Sequence, residues 1–497
     1  MGIIKRQGFY YTLISYTGVI IGSINTIFLY IHIFRPDQIG EFNNLQDVGL
    51  IFTQLAQIGL PSIVAKYFPK FRTEDKTHQG LISWVIILGF CSFFIITILF
   101  LYLKPAITLS FYKKSPYFQN IFYLIIPYSF FLLSNAILDV FSRVIYKGLL
   151  FSFMNEVVVR LGTSLGLILY FYKWINFFDF ILIFIVLNGS ITLALIIQLF
   201  KSGEFKVKFN VYFFKENTAD LVKYGFYTLL AGSTFLWVQK ADKMILTNLD
   251  GDAVQGVYSI FLYIITVVRI PSIGIGRVSY QLVSDFWQNN NMAKIDEIYK
   301  KTSLVQMIIG LFLFLGIILN RNFLVFLLKK PIYQEQFNLI YFLGLAVLVD
   351  TTGGLNSYIL AISHKFRIST GILIISLLLC IGFNYLLIPI LGPIGAAISL
   401  FITYFFLNFF NTLYLKIRFQ IQPFSLEHLK VLGLSLFSFI SVFFIPSLKN
   451  PYFDLLLRGS LFSFLFIGSI LIFKVSEDIN LQFHQIISRS QNVFKKD

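Results

Sequence analysis

The sequence predicts an all-α integral membrane protein with about 14 transmembrane helices, on the basis of its composition, its apolar runs and an internal repeat. Of the 497 residues, 57% are hydrophobic and only 13% are charged. Soluble domains carry about 25% charged residues, so a single soluble core does not fit this composition. The mean hydropathy of +0.77 agrees. A soluble all-helical protein is therefore not expected.

The apolar runs are long enough to cross a bilayer, which takes about 20 residues per helix. The predicted spans are roughly 9–33, 43–65, 81–103, 117–141, 150–172, 177–200, 221–249, 254–282, 303–328, 337–362, 368–390, 394–415, 428–446 and 453–473. The longest inner connections are about 201–220 and 285–302, and the outer loops are about 10–15 residues long, too short for a soluble domain.

Two segments recur at nearly the same offset. Residues 8–13 read GFYYTL and residues 225–229 read GFYTL, so Gly8 and Gly225 are 217 positions apart. Likewise, Gly40 in DQIGEF and Gly256 in AVQGVY are 216 positions apart. The offset covers about six spans, an even number, so both copies should enter the membrane from the same side.

The repeat predicts two six-helix bundles related by an axis along the membrane normal, with a substrate path between them. The expected domains are an N-terminal bundle at 1–218, a second bundle at 219–418, and helices 13 and 14 with a cytoplasmic tail at 419–497.

Basic residues predict the orientation. With the N-terminus in the cytoplasm, the inner segments hold 24 lysines and arginines and the outer loops hold 10, the remaining six of the 40 lying within spans. An even span count then places both termini inside. The net charge of +16 is mostly this topology signal, and no basic soluble domain is present to bind nucleic acid.

Motifs for cofactor or metal chemistry are missing from the sequence. The two cysteines, Cys91 and Cys380, are far apart in apolar spans, and the five histidines are scattered singly. No GxxxxGK[ST] loop for ATP occurs, and Gly274-Ile275-Gly276 fails the dinucleotide fingerprint. The sequence therefore predicts no cofactor and no metal site.

Polar side chains within the spans mark a candidate cavity. Span 2 carries Asn43, Asp47, Gln54 and Gln57 at helical spacing, and span 8, its repeat counterpart, carries Ser259 and Tyr263 four residues apart. These two stripes are interpreted as the lining of a shared polar cavity. The alternative is hydrogen bonding between helices within each bundle.

Charged side chains within the spans favour cations. The candidate anion-attracting residues are Arg269, Arg277, Lys240 and Lys243. Arg160, four residues after Glu156, adds a fifth cation, and the opposing acids are Asp47, Asp242, Glu156 and Asp350. Asp242, Asp350 and Asn356 are also expected to line the cavity. The run from Asp350 to Asn356 is polar and glycine-rich, which predicts a broken or bent helix facing the cavity. A cationic cavity suits an anionic lipid diphosphate head group. The alternative for each cation is an interhelical salt bridge.

Several short patterns resemble the polysaccharide-transport branch of the multidrug/oligosaccharidyl-lipid/polysaccharide exporter superfamily. They are PDQIGEF at 36–42, GLP at 59–61, KYFP at 66–69, ADKM at 241–244, GVYS at 256–259, Asn384 and GPIGAA at 392–397. The resemblance implies a flippase for O-antigen or another surface polysaccharide, such as lipopolysaccharide. Such a protein carries undecaprenyl-diphosphate-linked oligosaccharide from the inner to the outer leaflet of the bacterial cytoplasmic membrane by alternating access.

The resemblance also implies partners and leaves rivals open. The expected partners are the lipid-linked oligosaccharide, membrane lipid, a coupling ion and a polysaccharide polymerase. A lipid II flippase is one alternative. A cation-coupled multidrug antiporter is another, although span 1 lacks the acidic residue that such proteins use. A membrane glycosyltransferase or polymerase is less favoured because the outer loops are short, so we expect a transporter and not an enzyme.

Overall fold

The computed structural model describes residues 2–111, 113–115, 118–203, 211–363, 366–476 and 480. Side chains are described from residue 10 onward, apart from 110–111, 211–219 and 366. Most of the predicted cytoplasmic tail, including Arg489, Lys495 and Lys496, lies outside the described residues. Lys206, Lys208 and Lys365 of the predicted inner loops also lie outside them.

Every regular element in the described part of the chain is helical. The principal helices of the first half are α1 (Gly2–Ser23), α2 (Pro36–Ala56), α3 (Leu60–Phe71), α4 (Leu81–Tyr102), α5 (Ile125–Val144), α6 (Val159–Phe171), α7 (Phe177–Lys201) and α8 (Val211–Asp250). Those of the second half are α9 (Asp252–Gln288), α10 (Met292–Leu319), α11 (Arg321–Leu328), α12 (Pro331–Glu335), α13 (Leu339–Thr352), α14 (Asn356–Ile362), α15 (Phe366–Leu391), α16 (Pro393–Phe419), α17 (Leu426–Phe443) and α18 (Pro451–Ile472).

The all-α membrane architecture is confirmed, but the count of 14 spans is not. The described residues contain 11 helices that are long and apolar enough to cross a membrane, or up to 13 spans if two bent helix pairs are each counted as one. Helix α8 covers the seventh predicted span but is not among them. It carries Lys240, Asp242 and Lys243 near its C-terminal end, which lowers its apolar character.

Two predicted spans are helices broken near one end. Helices α2 and α3 meet at an angle of 45° and helices α13 and α14 at 44°. Gly59 and Gly354 occupy these breaks with φ values of 75° and 65°, a region that glycine adopts without steric cost. The second break confirms the prediction of a bent helix after Asp350.

One sequence expectation about the loops was wrong. The connection expected at about 285–302 is mostly helical, because α9 continues to Gln288 and α10 begins at Met292. Asn291 caps α10 by accepting a hydrogen bond from the backbone N–H of Lys294. The pairs Asp296–Lys300 and Glu297–Lys301 are four residues apart and support this polar first section.

The chain divides into two compact units, Met1–Ile260 and Phe261–Asp497, with the boundary inside α9. This division does not test the predicted bundle boundary at residue 218, which stays a prediction.

In the first unit, α2 is buried along most of its length. Phe42 of α2 contacts Phe180 and Phe184 of α7 edge to face, with ring centroids 5.3 and 4.8 Å apart. Helix α5 approaches α2 closely at Gly49, where an added Cβ would lie 2.5 Å from the ring of Tyr128. This packing removes the polar side chains of α2 from lipid.

In the second unit, α16 packs against α13 and α15. The α15–α16 turn forms at Gly392, and Pro393 begins α16. Helix α18 is tied to the preceding loop because Asp454 accepts hydrogen bonds from the backbone N–H of Leu448 and from Nε of Arg458.

Candidate functional site

Helix α2 supplies the centre of the polar site in the first unit. The helix starts at Pro36, whose missing N–H costs nothing at a first helical position. The backbone N–H of Arg35 donates to Oε1 of Gln38, which fixes the first turn. From this start the helical period brings Asn44 and Asp47 to the side that meets α8 and α9.

Asp47 bridges two lysines of α8. Its Oδ1 is 2.7 Å from Nζ of Lys240, and its Oδ2 contacts Nζ of Lys243. The Asp47 side chain is 3% exposed, whereas that of Lys240 is 21% exposed. Lys240 and Lys243 are three residues apart and therefore share a helix face, as the sequence predicted. One carboxylate thus receives both ammonium groups.

Asp242 adds a fourth charge to the cluster formed by Asp47, Lys240 and Lys243. Its Oδ2 accepts a hydrogen bond of 2.6 Å from the hydroxyl of Tyr258, and its Oδ1 accepts one of 2.8 Å from the backbone N–H of Lys243. Asp242 and Tyr258 are both buried. With two aspartates and two lysines, the cluster carries no formal net charge. Its lysines are therefore compensated within the protein.

A second polar group joins α2 to the start of α9. Nδ2 of Asn44 donates to Oδ1 of Asp252 at 2.8 Å, and the hydroxyl of Ser115 donates to Oδ2. Oδ1 of Asn44 accepts from the hydroxyl of Thr247 at 3.2 Å. All four residues are buried. Each of these buried side chains has a hydrogen-bond partner. The four residues together therefore fix the relative position of α2, α8 and α9 at this end.

The backbones of α2 and α9 approach each other symmetrically. A Cβ on Gly40 would overlap the carbonyl oxygen of Asp252, and a Cβ on Gly256 would overlap that of Pro36. Residues 36 and 252 are 216 positions apart, as are 40 and 256. The contact therefore relates equivalent positions of the two repeats, and a local two-fold axis passes between the two helices.

The remaining predicted polar residues of α2 follow the same side of the helix. Nε2 of Gln57 donates to Oε1 of Gln54, and Gln54 packs against Gly232 of α8, where an added Cβ would lie 2.5 Å from Nε2 of Gln54. Asn43 is buried. The structure thus places Asp47 and Gln54 against α8 and bonds Gln57 to Gln54.

In the second unit, Arg269 of α9 pairs with Asp350 of α13. The closest nitrogen–oxygen distance is 3.0 Å, with side-chain exposures of 29% and 19%. The guanidinium also lies 6.0 Å from the centre of the Tyr404 ring of α16. Arg269, predicted to attract anions, is therefore largely compensated in this structure.

Arg277 differs from the other three predicted cations. It is exposed, and within the described part of the chain no carboxylate lies within salt-bridge distance of it. It is eight residues beyond Arg269 on the same helix. Of the four predicted cations, Arg277 is the one whose charge is available to a ligand without breaking an ion pair.

Asn356 begins α14 directly after the helix break. Its Nδ2 donates to Oδ1 of Asn408 at 2.8 Å, and its Oδ1 accepts from the hydroxyl of Ser357 at 3.0 Å. Nδ2 of Asn408 in turn donates to the carbonyl of Tyr404, whose ring faces Arg269. Asn408 and Tyr404 therefore lie between the helix break and the Arg269–Asp350 pair.

The sequence singled out most of these residues but missed their partners. Asn44, Asp252, Asn408 and Tyr404 did not stand out as candidates. The repeat could have pointed to Asn44 and Asp252, because each lies four residues from one of the repeated glycines, Gly40 and Gly256. Ser259 is buried on α9, whereas Tyr263 is partly exposed. No group of three or more His, Cys, Asp and Glu side chains within the described ranges is placed to hold a metal ion.

The Asp47 cluster gives a charge-balance prediction. Replacing Asp47 by Asn leaves Lys240 and Lys243 facing an amide, and breaking a buried pair costs about 3–5 kcal/mol. We expect the thermal midpoint in detergent to fall most in Asp47→Asn and less in Lys243→Met, which keeps the Lys240 bond. The double variant should recover part of the loss because it restores the balance.

The matched control is Lys430→Met, which breaks an exposed pair with Glu427 and should change the midpoint little. A double variant that is less stable than Asp47→Asn would contradict the bridging role of Asp47.

The symmetric glycine contact gives a second prediction. Gly40→Ala and Gly256→Ala each place a methyl group on a backbone carbonyl, which cannot move aside as a flexible side chain can. Both variants should force α2 and α9 apart and lower thermal stability to a similar extent. Gly274→Ala on α9 is the control, because an added Cβ there meets nothing within 4 Å. Equal effects of all three substitutions would mean that helix propensity, not the contact, is responsible.

Comparisons with known proteins agree with this architecture. No protein-family model matches the chain. An uncharacterized membrane protein of Methanocaldococcus jannaschii is 23% identical over 457 residues, covering 88% of this chain and 89% of that protein. The capsular polysaccharide biosynthesis protein CapF of Staphylococcus aureus is 23% identical over 264 residues, covering 50% of this chain and 65% of CapF. The chain thus spans less than two thirds of CapF.

Solved structures define the fold. The lipid II flippase MurJ in its inward closed conformation superposes with a TM-score of 0.73 at 13% identity, covering 93% of this chain and 98% of MurJ. A multidrug resistance MATE transporter of the MOP superfamily in its inward-facing conformation gives a TM-score of 0.58 at 15% identity, covering 83% of this chain and 94% of that transporter. The chain has the fold shared by MurJ and the MATE transporters.

Proposed function

We propose that this protein is a flippase that moves undecaprenyl-diphosphate-linked oligosaccharide from the inner to the outer leaflet of the bacterial cytoplasmic membrane. The oligosaccharide is a repeat unit of O-antigen or of another surface polysaccharide. The protein works by alternating access, it is not an enzyme, and both termini lie in the cytoplasm. Its partners include membrane lipid, a coupling ion and a polysaccharide polymerase.

The observation that carries the proposal is the extent of the likeness to MurJ. The MurJ fold covers 93% of the chain, whereas the MATE fold covers 83%. The part of this chain that the MATE structure leaves out is 17%, or about 84 of 497 residues, enough for more than two spans of about 20 residues each. The larger flippase architecture therefore fits this chain better than the multidrug transporter architecture does.

The likeness to CapF, a capsular polysaccharide biosynthesis protein, favours a polysaccharide precursor over lipid II. It covers only half of this chain, so a lipid II flippase remains the second candidate on the strength of the MurJ fold. Both substrates are lipid diphosphates that carry sugars, and both suit a site in which cations meet polar side chains. A cation-coupled multidrug antiporter is a third candidate.

The site residues have distinct roles in this proposal. Arg277 attracts the diphosphate. When the diphosphate binds, Arg269 leaves Asp350 and pairs with the diphosphate. Lys240 and Lys243 likewise stay on Asp47 until substrate arrives. In the predicted orientation, the contact of α2 with α9 lies at the outer end of both helices. It closes this end while the substrate enters from the inner side.

The decisive experiment is a chromosomal deletion followed by analysis of lipid-linked sugars in each leaflet. We expect complete polyprenyl-diphosphate-linked repeat units to accumulate on the cytoplasmic face, with loss of surface polymer. Accumulation of the peptidoglycan precursor instead would identify a lipid II flippase. Single repeat units already on the outer face would indicate a polymerase or ligase and would exclude the transporter proposal.

The two arginines of α9 should behave differently in complementation of this deletion. Arg277→Ala removes an exposed, unpaired charge, so we expect transport to fall while the thermal midpoint stays near that of the wild type. Arg269→Ala leaves Asp350 without its partner, so both transport and the thermal midpoint should fall. Asp350→Asn is the companion variant for the pair. Full complementation by Arg277→Ala at normal protein levels would remove this residue from the substrate path.

A further inference from the structure

Gln255 and Ser259 of α9 are buried without hydrogen-bond partners. Gln255 is 0% exposed and Ser259 is 1% exposed. Both polar atoms of the Gln255 amide, Nε2 and Oε1, and the Ser259 hydroxyl lack a partner among the described residues. Buried polar side chains nearly always have partners, so three unpaired atoms one helical turn apart need a physical explanation.

These side chains lie on the face of α9 that meets α2. Positions 252, 255, 256 and 259 follow the spacing of one helical face. Asp252 bonds Asn44 on this face, and Gly256 contacts the carbonyl of Pro36. Gln255 and Ser259 are therefore part of the same helix contact, in which their neighbours are well paired.

The free energy of closing this contact therefore has opposing contributions. The bonds of Asn44 with Asp252 and Thr247 favour the closed arrangement. Desolvating an unpaired buried polar group costs about 1–3 kcal/mol, and this cost is recovered when the group reaches water or another hydroxyl. The glycine pair permits the backbones to meet, whereas the unpaired amide and hydroxyl oppose it.

We infer that Gln255 and Ser259 are gating residues that destabilise the closed contact of α2 with α9 and promote its separation. Their polar atoms gain partners when the helices part and the face meets water or the hydroxyl groups of a saccharide. The inference rests on the proposed alternating-access function, because it assigns this contact to the outer closure. The two residues act on the opening equilibrium and not on any chemical step.

The test compares two buried hydroxyls that differ in pairing. Ser259→Ala removes an unpaired hydroxyl, and Thr247→Val removes one that donates to Asn44. Opening is measured in membranes as the labelling rate of Asn43→Cys by a membrane-impermeant maleimide, with Cys91 and Cys380 replaced by Ala. Asn43 is buried next to Asn44 on α2. The thermal midpoint of each variant is measured in parallel.

We expect Ser259→Ala to slow labelling about fivefold and to raise the thermal midpoint, since removing one unpaired group stabilises closure by about 1 kcal/mol. Thr247→Val should accelerate labelling and lower the midpoint. Gln255→Met is the second variant and should act like Ser259→Ala. If Ser259→Ala instead accelerates labelling and lowers the midpoint as Thr247→Val does, its hydroxyl has a partner such as an ordered water, and the inference is wrong.

Labelling needs no substrate, so its result is independent of the flippase assay. If the labelling pattern is as expected but the deletion strain does not accumulate the lipid-linked repeat unit, the proposed substrate is refuted and the gating role of Gln255 and Ser259 stands. An absence of labelling in every variant, Thr247→Val included, would show that this contact does not open outward and would overturn the inference.

Discussion

The cost of an unpaired charge in a bilayer is the constraint on which this structure depends. A lysine at the centre of a spanning helix costs about 2.5–3.5 kcal/mol on insertion scales, and α8, which covers the seventh predicted span, carries two lysines in its C-terminal part. Both are held by Asp47 of α2, while the adjacent Asp242 takes its hydrogen bonds from Tyr258 and the backbone. These contacts fix α8 against α2. Helix α2, buried along most of its length, supplies the carboxylate that meets this requirement.

Charge compensation also changes how a cationic cavity works. A site built from free cations would attract anions strongly but would release them slowly. Here Lys240, Lys243 and Arg269 each begin on a carboxylate. Under the proposed function, an anionic head group would have to compete with that carboxylate, so the binding free energy would be a difference between two ion pairs. Such an exchange would suit the proposed flippase, which has to release its substrate as readily as it binds it.

Much of this fold was predictable because bilayer thickness and helical period act directly on sequence. Apolar runs of about 20 residues located most spans, and the spacing of Lys240 and Lys243 placed them on one face. The pairs Glu156–Arg160 and Asp139–Arg143, four residues apart, are also present. The helical segment at 292–302 was taken as part of a connection because its lysines and acidic residues make it too polar for a span, although Ile295 and Tyr299 are buried four residues apart.

Residues that act through distant partners were harder to predict. Asp47 was identified as polar, but its bond to two lysines nearly 200 positions away depends on tertiary packing. Asn408 and Tyr404 each look like an isolated polar interruption of an apolar helix. Their link to Arg269 emerges only once α13 breaks at Gly353–Leu355. The candidate cations were correctly placed within helices, and the alternative of interhelical salt bridges holds for Lys240, Lys243 and Arg269, but the sequence could not tell which carboxylate pairs with which cation.

The paired glycines at positions 40 and 256 have a consequence for the origin of the chain. In an isologous interface each subunit presents the same residue to the same site of its partner. A half-length ancestor forming a two-fold dimer would have needed a single glycine to make both approaches. If the two halves arose by duplication and fusion of such an ancestor, that one requirement would now fall on two separate positions, Gly40 and Gly256. The neighbouring equivalent positions carry different residues, Pro36 and Asp252, and this asymmetry supplies the carboxylate that accepts a hydrogen bond from Asn44 of the other repeat.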